Sequence, residues 1–316
     1  MKKMKWMGIL AALLCATLLV TGCGGDNKNE NGASQDGTQQ GDNQGTNNNG
    51  GNSGGDNTVD PDINLDGSLL IKLDDANTDV GESGATYADC VLKITKSGVY
   101  RLQGKLTDGQ IQISVPKTET VELILDGCEI TCKTSAAIYC DSTDKLYITA
   151  NAGTTNVLSD GRNYIYPVVG TDEPNACIFS DDDITLRGSG ALTVNGNFNN
   201  GISSKNDIKI KDLTLTINAN NTGIRGKDSV EINSGKVTVD AKNDGLKASQ
   251  ETKTDKGFVE INGGTVNISA GDDAIQAFAR ININGGKVTV SAGGKTLNCS
   301  SGDDYIVVAQ GALTEE

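Results

Sequence analysis

The segments "NNGISSKNDIKI" (Asn199–Ile210) and "NTGIRGKDSVEI" (Asn221–Ile232) are two versions of one phrase, set twenty-two residues apart. "NDGLKA" begins at Asn243, another twenty-two along, and "DDAIQA" begins at Asp272, after an insertion. Each version carries a carboxylate or carboxamide, then a small residue, then an aliphatic one. Aligned on that aliphatic residue, the chain gives Ile178, Ile202, Ile224, Leu246, Ile275 and Leu297, with spacings of 24, 22, 22, 29 and 22. The spacing of 29 holds an extra hydrophilic piece, "SQETKTD" (Ser249–Asp255), which reads as a loop expelled from one coil.

From about residue 65 the pattern is alternating strands cut by Gly and Asn/Asp turns. "DITLRGSGALTV", "DIKIKDLTLTI", "SVEINSGKVTV", "FVEINGGTVNI" and "RININGGKVTV" are successive forms of one unit. About 22 residues with three short strands and no helical period describe a solenoid. The expected fold is all-β, a right-handed parallel β-helix with one rung per coil in each of three parallel sheets. A β-sandwich would not need a fixed period. Equivalent residues then stack, so the aliphatic rungs form a core ladder. The small residue before each rung sits at a tight bend, where Gly permits positive φ or close backbone approach. Two places after the rungs stand Cys140, Ser180, Ser204, Gly226, Ala248, Ala277 and Cys299, all small and of inward parity. Cys90, Cys128, Cys132, Cys140, Cys177 and Cys299 are therefore expected to be small buried apolar residues. Disulfides are the alternative, since the chain reads as exported.

Composition narrows the chemistry. The 316 residues include no His, which excludes His-based acid–base catalysis and His-ligated metals. Net charge is −14, and −17 without residues 1–23, whose only charges are Lys2, Lys3 and Lys5. So acidic a chain is a poor nucleic-acid binder and a plausible calcium binder. "MKKMKWMGILAALLCATLLVTGC" has the basic start and apolar stretch of a signal peptide, and "LVTGC" (Leu19–Cys23) resembles a bacterial lipobox. That implies cleavage before Cys23, lipidation of Cys23, and a chain held on the extracellular face of the membrane. An ordinary secretory signal or an uncleaved anchor are the alternatives. Residues 24–60 are almost wholly Gly, Asn, Asp, Gln, Ser and Thr, a composition for a flexible tether. Residues 61–316 are the expected β-helix.

Acidic and amide residues recur at two bends. Before the rungs stand Asn199–Asn200, Asn243–Asp244 and Asp272–Asp273; after them stand Asp182–Asp183, Asn206–Asp207 and Asp228. Coils stack about 4.8 Å apart, so carboxylates in register repel unless a cation bridges them. Calcium takes six to eight oxygens of this kind; ordinary turn chemistry is the rival explanation. The pairs Asp244 with Asp272–Asp273, and Asp228 with Asn243–Asp244, are the densest. Their oxygens are expected to project to the surface. Beside them runs an outward column, Tyr139, Phe179, Ser203, Arg225, Lys247, Gln276 and Asn298, with Lys205 and Lys227 two places further along their coils. Cations next to a calcium-prone edge suit a polysaccharide with carboxylates and hydroxyls, because Arg can grip a uronate in a bidentate pair.

"SGVYRLQGKLTDGQIQISV" (Ser97–Val115), "AAIYCDSTDKLYITANAGTTNVLSDG" (Ala136–Gly161), "ACIFSDDDITLRGSGALTVNGNFNNGISSKNDIKI" (Ala176–Ile210) and "GIRGKDSVEIN" (Gly223–Asn233) resemble the clostridial carbohydrate-binding lipoproteins with a pectate-lyase-like β-helix. The resemblance covers roughly residues 65–298. It implies a calcium-binding β-helix that takes cellulose or an acidic pectic chain such as polygalacturonate, and it does not by itself imply catalysis. It carries the calcium motif onto Asp182, Asp183, Asn200, Asp207, Asp228, Asp244, Asp272 and Asp273. In the last coil "FARI" (Phe278–Ile281) lacks the acidic pair, and family members usually run on past the point matching Glu316.

A non-catalytic binder is the favoured reading. A lyase would need calcium to acidify the proton beside a uronate and a base to remove it. Arg225, Lys227 and Lys247 are the base candidates, but acidic neighbours raise such a group's pKa instead of lowering it. A surface adhesion protein that uses calcium only to hold its coils is the third reading. No oligomeric interface is legible, and a monomer is expected.

Overall fold

The computed structural model describes residues 65–166 and 170–316. The segments expected to be a signal peptide and a tether, with Cys23, lie outside the described residues.

Strand follows strand with one short 3-10 turn, Asp303–Tyr305, between them. Nearly all pairings are parallel, and each strand pairs with its equivalent one coil on. The fold is the expected right-handed parallel β-helix. A ten-stranded sheet carries the rungs. Ile138, Ile178, Ile202, Ile224, Leu246, Ile275 and Leu297 stand in register along it. All but the last of these, Leu297, are fully buried.

The other two expected sheets are joined into one of seventeen strands. The joint is the thirteen-residue strand Thr120–Cys132. Its first half pairs with Lys145–Ala150 and its last residues with Thr155–Asp160. Between them Gly127, at φ 75°, bends the strand without ending it. From residue 145 on, turns separate the two ladders, and each coil has three strands. Leu192, Leu215, Val237, Val266 and Val288 stack in one ladder, and Ile184, Ile208, Val230, Val259 and Ile281 in the other. All these side chains enter one continuous core. Alternation does this: neighbours point out while every second residue points in.

The small residue before each rung is required by crowding. Gly223 has an ordinary φ, but a Cβ there would lie 2.3 Å from Val239 Cγ1 and 2.7 Å from the Gly245 carbonyl. Cys128, Cys132, Cys140, Cys177 and Cys299 are buried free thiols, as expected. Cys90 departs from the expectation. It lies in a two-residue turn with Asp89, at φ 61°, and is exposed, because it precedes a strand instead of standing on an inward position.

Candidate functional site

Each strand of the ten-stranded sheet is short, so the bends before and after it lie close to its outer face. At or just before the strand's start, Asn200, Thr222, Asp244 and Asp273 stand in one column, two places ahead of the rungs. These side chains do not project into solvent as expected. Asn200 is 2%, Asp244 1% and Asp273 5% exposed. The backbone turns them over the end of the sheet, where neighbouring coils cover them. Asn200 is satisfied there: its Nδ2 donates to the Asn175 carbonyl, and its Oδ1 accepts from Asn221 Nδ2 and the Thr222 amide.

The next coil carries Thr222 at this place, and the two coils after it carry acids. One oxygen each from Asp244, Asp272 and Asp273 comes within 4.8 Å of the others. Asp273 accepts from the Lys295 amide, Gln276 Nε2 and Asn298 Nδ2. Asp244 Oδ2 accepts from Lys247 Nζ at 2.8 Å. Asp244 Oδ1 is buried with no hydrogen-bond partner, alone among the described side-chain atoms. A buried carboxylate oxygen left so is costly. Three carboxyl groups with an open, unsatisfied oxygen fit a hard, oxygen-seeking cation. Asn243 lies in the same corner, and its carbonyl accepts from the Asp272 amide.

The remaining acidic candidates are closed by the protein's own donors. Asp182 takes Lys117 Nζ and the Thr143 amide. Asp183 is 3.9 Å from Lys145 Nζ and accepts from the Asp207 amide. Asp207 takes Ser229 Oγ and Lys256 Nζ. Asp228 does not join Asn243–Asp244. It follows its strand while they precede theirs, so the strand's length separates them. Its carboxylate instead takes Gln250 Nε2 at 3.0 Å and Lys253 Nζ at 3.2 Å. Burial pushes its pKa up, yet Gln250, Lys253 and Lys256 hold it below the usual carboxylate range. Asp228 thus fastens the loop Ser249–Asp255 to the coil beneath.

That loop walls one side of a cleft of about 500 Å³ over the sheet's outer face. Ser203, Arg225, Lys205 and Lys227 line it, with Glu251 of the loop on one side and Glu173 and Asn175 on the other. Arg225 and Lys227 have no ion-pair partner among the described residues. Lys205 pairs with Glu173 at 2.5 Å and Asp181 at 3.0 Å. Burial works to lower its pKa, but the two carboxylates raise it. Lys247 and Gln276 are on the expected outward column yet are drawn to Asp244 and Asp273. Phe179 is a correction. Its parity is outward, but the ring is only 1% exposed, packed against Tyr139 and under Lys205 Nζ at 5.7 Å. It offers no free face to a sugar. The Tyr139 hydroxyl donates to Asp141, and burial, then Asp141, pushes its pKa up to about 12.

Glu173, Asn175 and Glu251 are absent from the sequence-based candidates. They sit in segments outside the repeat, so no period places them. Glu251 carried one hint, its position in the expelled loop.

A family model described as carbohydrate-binding domain-containing protein matches residues 88–314. A curated protein of that description from Acetivibrio thermocellus is 38% identical over 211 residues, 67% of this chain and 64% of the relative. The chain therefore spans less than two thirds of that relative's length. A solved structure described as the polysaccharide lyase-like protein from C. thermocellum, gadolinium derivative, is 39% identical, with a TM-score of 0.75, and the match covers 79% of this chain and 100% of that one. With the outer-face cleft and the three-strand coils from residue 138 on inside the matched region, the chain belongs to the carbohydrate-binding domain-containing protein family.

Proposed function

We propose that this protein is a lipid-anchored, extracellular polysaccharide-binding protein, non-catalytic, that binds its ligand in the cleft over Ser203 with calcium held at the neighbouring corner. The observation that carries the reading is the pair Arg225 and Lys227, two cations in the cleft without an ion-pair partner among the described residues. Arg225 is suited to a planar carboxylate or a pair of hydroxyls, and Lys227 to a single anionic oxygen. The ligands that suit this lining are plant-type polymers, polygalacturonate-like chains and cellulose. Family membership supports carbohydrate as the ligand class.

Asp244, Asp272 and Asp273 would hold the calcium, with Asn243 beside them. The unsatisfied Asp244 Oδ1 supports the fit, and gadolinium, the metal in the related solved structure, shares calcium's preference for oxygen. Bound there, calcium would supply positive charge next to the cleft. Cys23 would carry the lipid.

The test retains the full chain on insoluble polygalacturonate and on cellulose, with and without calcium, while absorbance reports unsaturated uronides. Calcium-dependent retention on polygalacturonate at flat absorbance is expected, and retention on cellulose, where it occurs, is expected not to depend on calcium. Loss of retention in Arg225→Ala/Lys227→Ala with an unchanged melting temperature assigns the cleft. Retention on neither polymer sinks the reading. One observation favours a second reading, the polysaccharide lyase-like description of the related structure. Lys227 and Arg225 would then be the base candidates, and absorbance would rise.

A further inference from the structure

Lys247 belongs to two neighbourhoods. Its backbone stands between Arg225 and Gln276 on the outer face of the sheet. Its ammonium reaches over the strand's end to Asp244, 2.8 Å from Oδ2. Asp244 is 1% exposed, and its other oxygen has no partner. Asp272 and Asp273 add two more carboxyl groups within 4.8 Å. Around this corner the other donors are uncharged: Gln276, Asn298 and the Lys295 backbone amide all serve Asp273. Lys295's ammonium turns to Asn298 instead. Three carboxyl groups thus share a single ammonium, and that ammonium comes from the face where the glycan would lie.

We infer that Lys247 determines specificity by changing partners: it neutralises Asp244 when no divalent ion is present, and when calcium binds it swings to the outer face beside Arg225 and pairs with a carboxylate of the polysaccharide. The inference rests on the calcium reading above. Two cations on the two oxygens of one carboxylate repel each other at short range. Of the two, the lysine is the one that can leave. Its stem is flexible, its head is well hydrated, and its side chain is already 27% exposed. The next coil shows the alternative, since Gln276 occupies the equivalent position and bonds to Asp273 without a charge. Calcium and an acidic glycan then favour each other's binding, reciprocally, while a neutral glycan gains nothing from calcium.

Calorimetric titrations of the full chain test this, with calcium, with a galacturonate hexamer and with a neutral cello-hexamer. Lys247→Gln installs the residue the next coil already carries. It is expected to bind calcium about tenfold tighter than the wild type, because the internal competitor is gone. Saturating calcium is expected to tighten galacturonate binding about tenfold in the wild type and hardly at all in Lys247→Gln. Lys247→Arg, which keeps the positive charge, is expected to restore both the weaker calcium binding and the coupling. The cello-hexamer's affinity should ignore calcium in every variant. Calcium binding of equal strength in wild type and Lys247→Gln, or coupling that survives the substitution, overturns the inference alone. Absence of calcium binding in the wild type instead removes the metal reading, and this inference with it.

Discussion

At the scale of single residues, burial decides which groups remain chemically available. Cys128 and Cys140 have thiol pKa values pushed up to about 12 by burial, and burial also holds Cys177 well above a thiol's ordinary value. Cys90 alone among the described cysteines is exposed. A maleimide should therefore label Cys90 in the native protein and leave Cys128, Cys132, Cys140, Cys177 and Cys299 untouched until denaturant is added, as peptide mass mapping would show. Asp160 is 3% exposed, and burial pushes its pKa up to about 6 despite donors from Tyr164, Asn197 and Phe198. The sign follows. The folded chain keeps a proton there that the unfolded chain has lost, so stability falls as pH rises from about 4 to 6 and levels off above. The loss is on the order of 2–3 kcal/mol. Denaturant unfolding at pH 4.5 and 7.5 should show this slope in the wild type and a flatter one in Asp160→Asn; equal slopes count against it.

Elements show what the sequence made legible. Period-2 alternation set inside a 22-residue repeat identified the strands and the inward positions, because a one-residue slip would expose every rung. The repeat also brought Asp244, Asp272 and Asp273 together, since Asp244 and Asp273 stand at equivalent places on adjacent coils and Asp272 is the neighbour of Asp273. It could not tell that Asp244 and Asp273 turn inward while Asp272 stays exposed, because strand parity does not govern a bend. Nor could it place Asp228 against Lys253, because that loop lies outside the period. Phe179 failed for a related reason: parity gives the direction of a side chain but not what covers it. The loop itself invites a test. Asp228→Ala removes the acceptor of both Gln250 and Lys253. Trypsin should then cut at Lys253 sooner and glycan retention should fall, while calcium affinity changes by less than about twofold, as expected for a separate site. A large fall in calcium affinity would put Asp228 back among the metal ligands. At the bend before the rung, Gly223→Val forces a side chain against Val239 and the Gly245 carbonyl. It should cost on the order of 1–3 kcal/mol, read as a lower denaturation midpoint.

Over the whole molecule, ligand binding and folding share one free energy. If Asp244, Asp272 and Asp273 hold calcium only in the folded state, an ion concentration a hundredfold above Kd stabilises the fold by about 2.7 kcal/mol. The midpoint of unfolding should rise with calcium in the wild type and stay fixed in Asp244→Asn/Asp273→Asn. A rise of equal size in that variant would place the ion elsewhere. The register along the ten-stranded sheet has a consequence for how such a protein can change length. Because Ile178, Ile202, Ile224 and Leu246 stack one above another, the stacked strands themselves tolerate additions and losses only in whole turns. Excising Asn199–Asn220 would join Phe198 to Asn221 and leave every remaining partner in phase; excising half as many would throw each later residue onto the wrong side of its sheet. The seven residues of Ser249–Asp255 show the other permitted outcome, in which a length that is not a full turn is expelled and becomes a wall. Length here comes in quanta, and the remainder becomes shape.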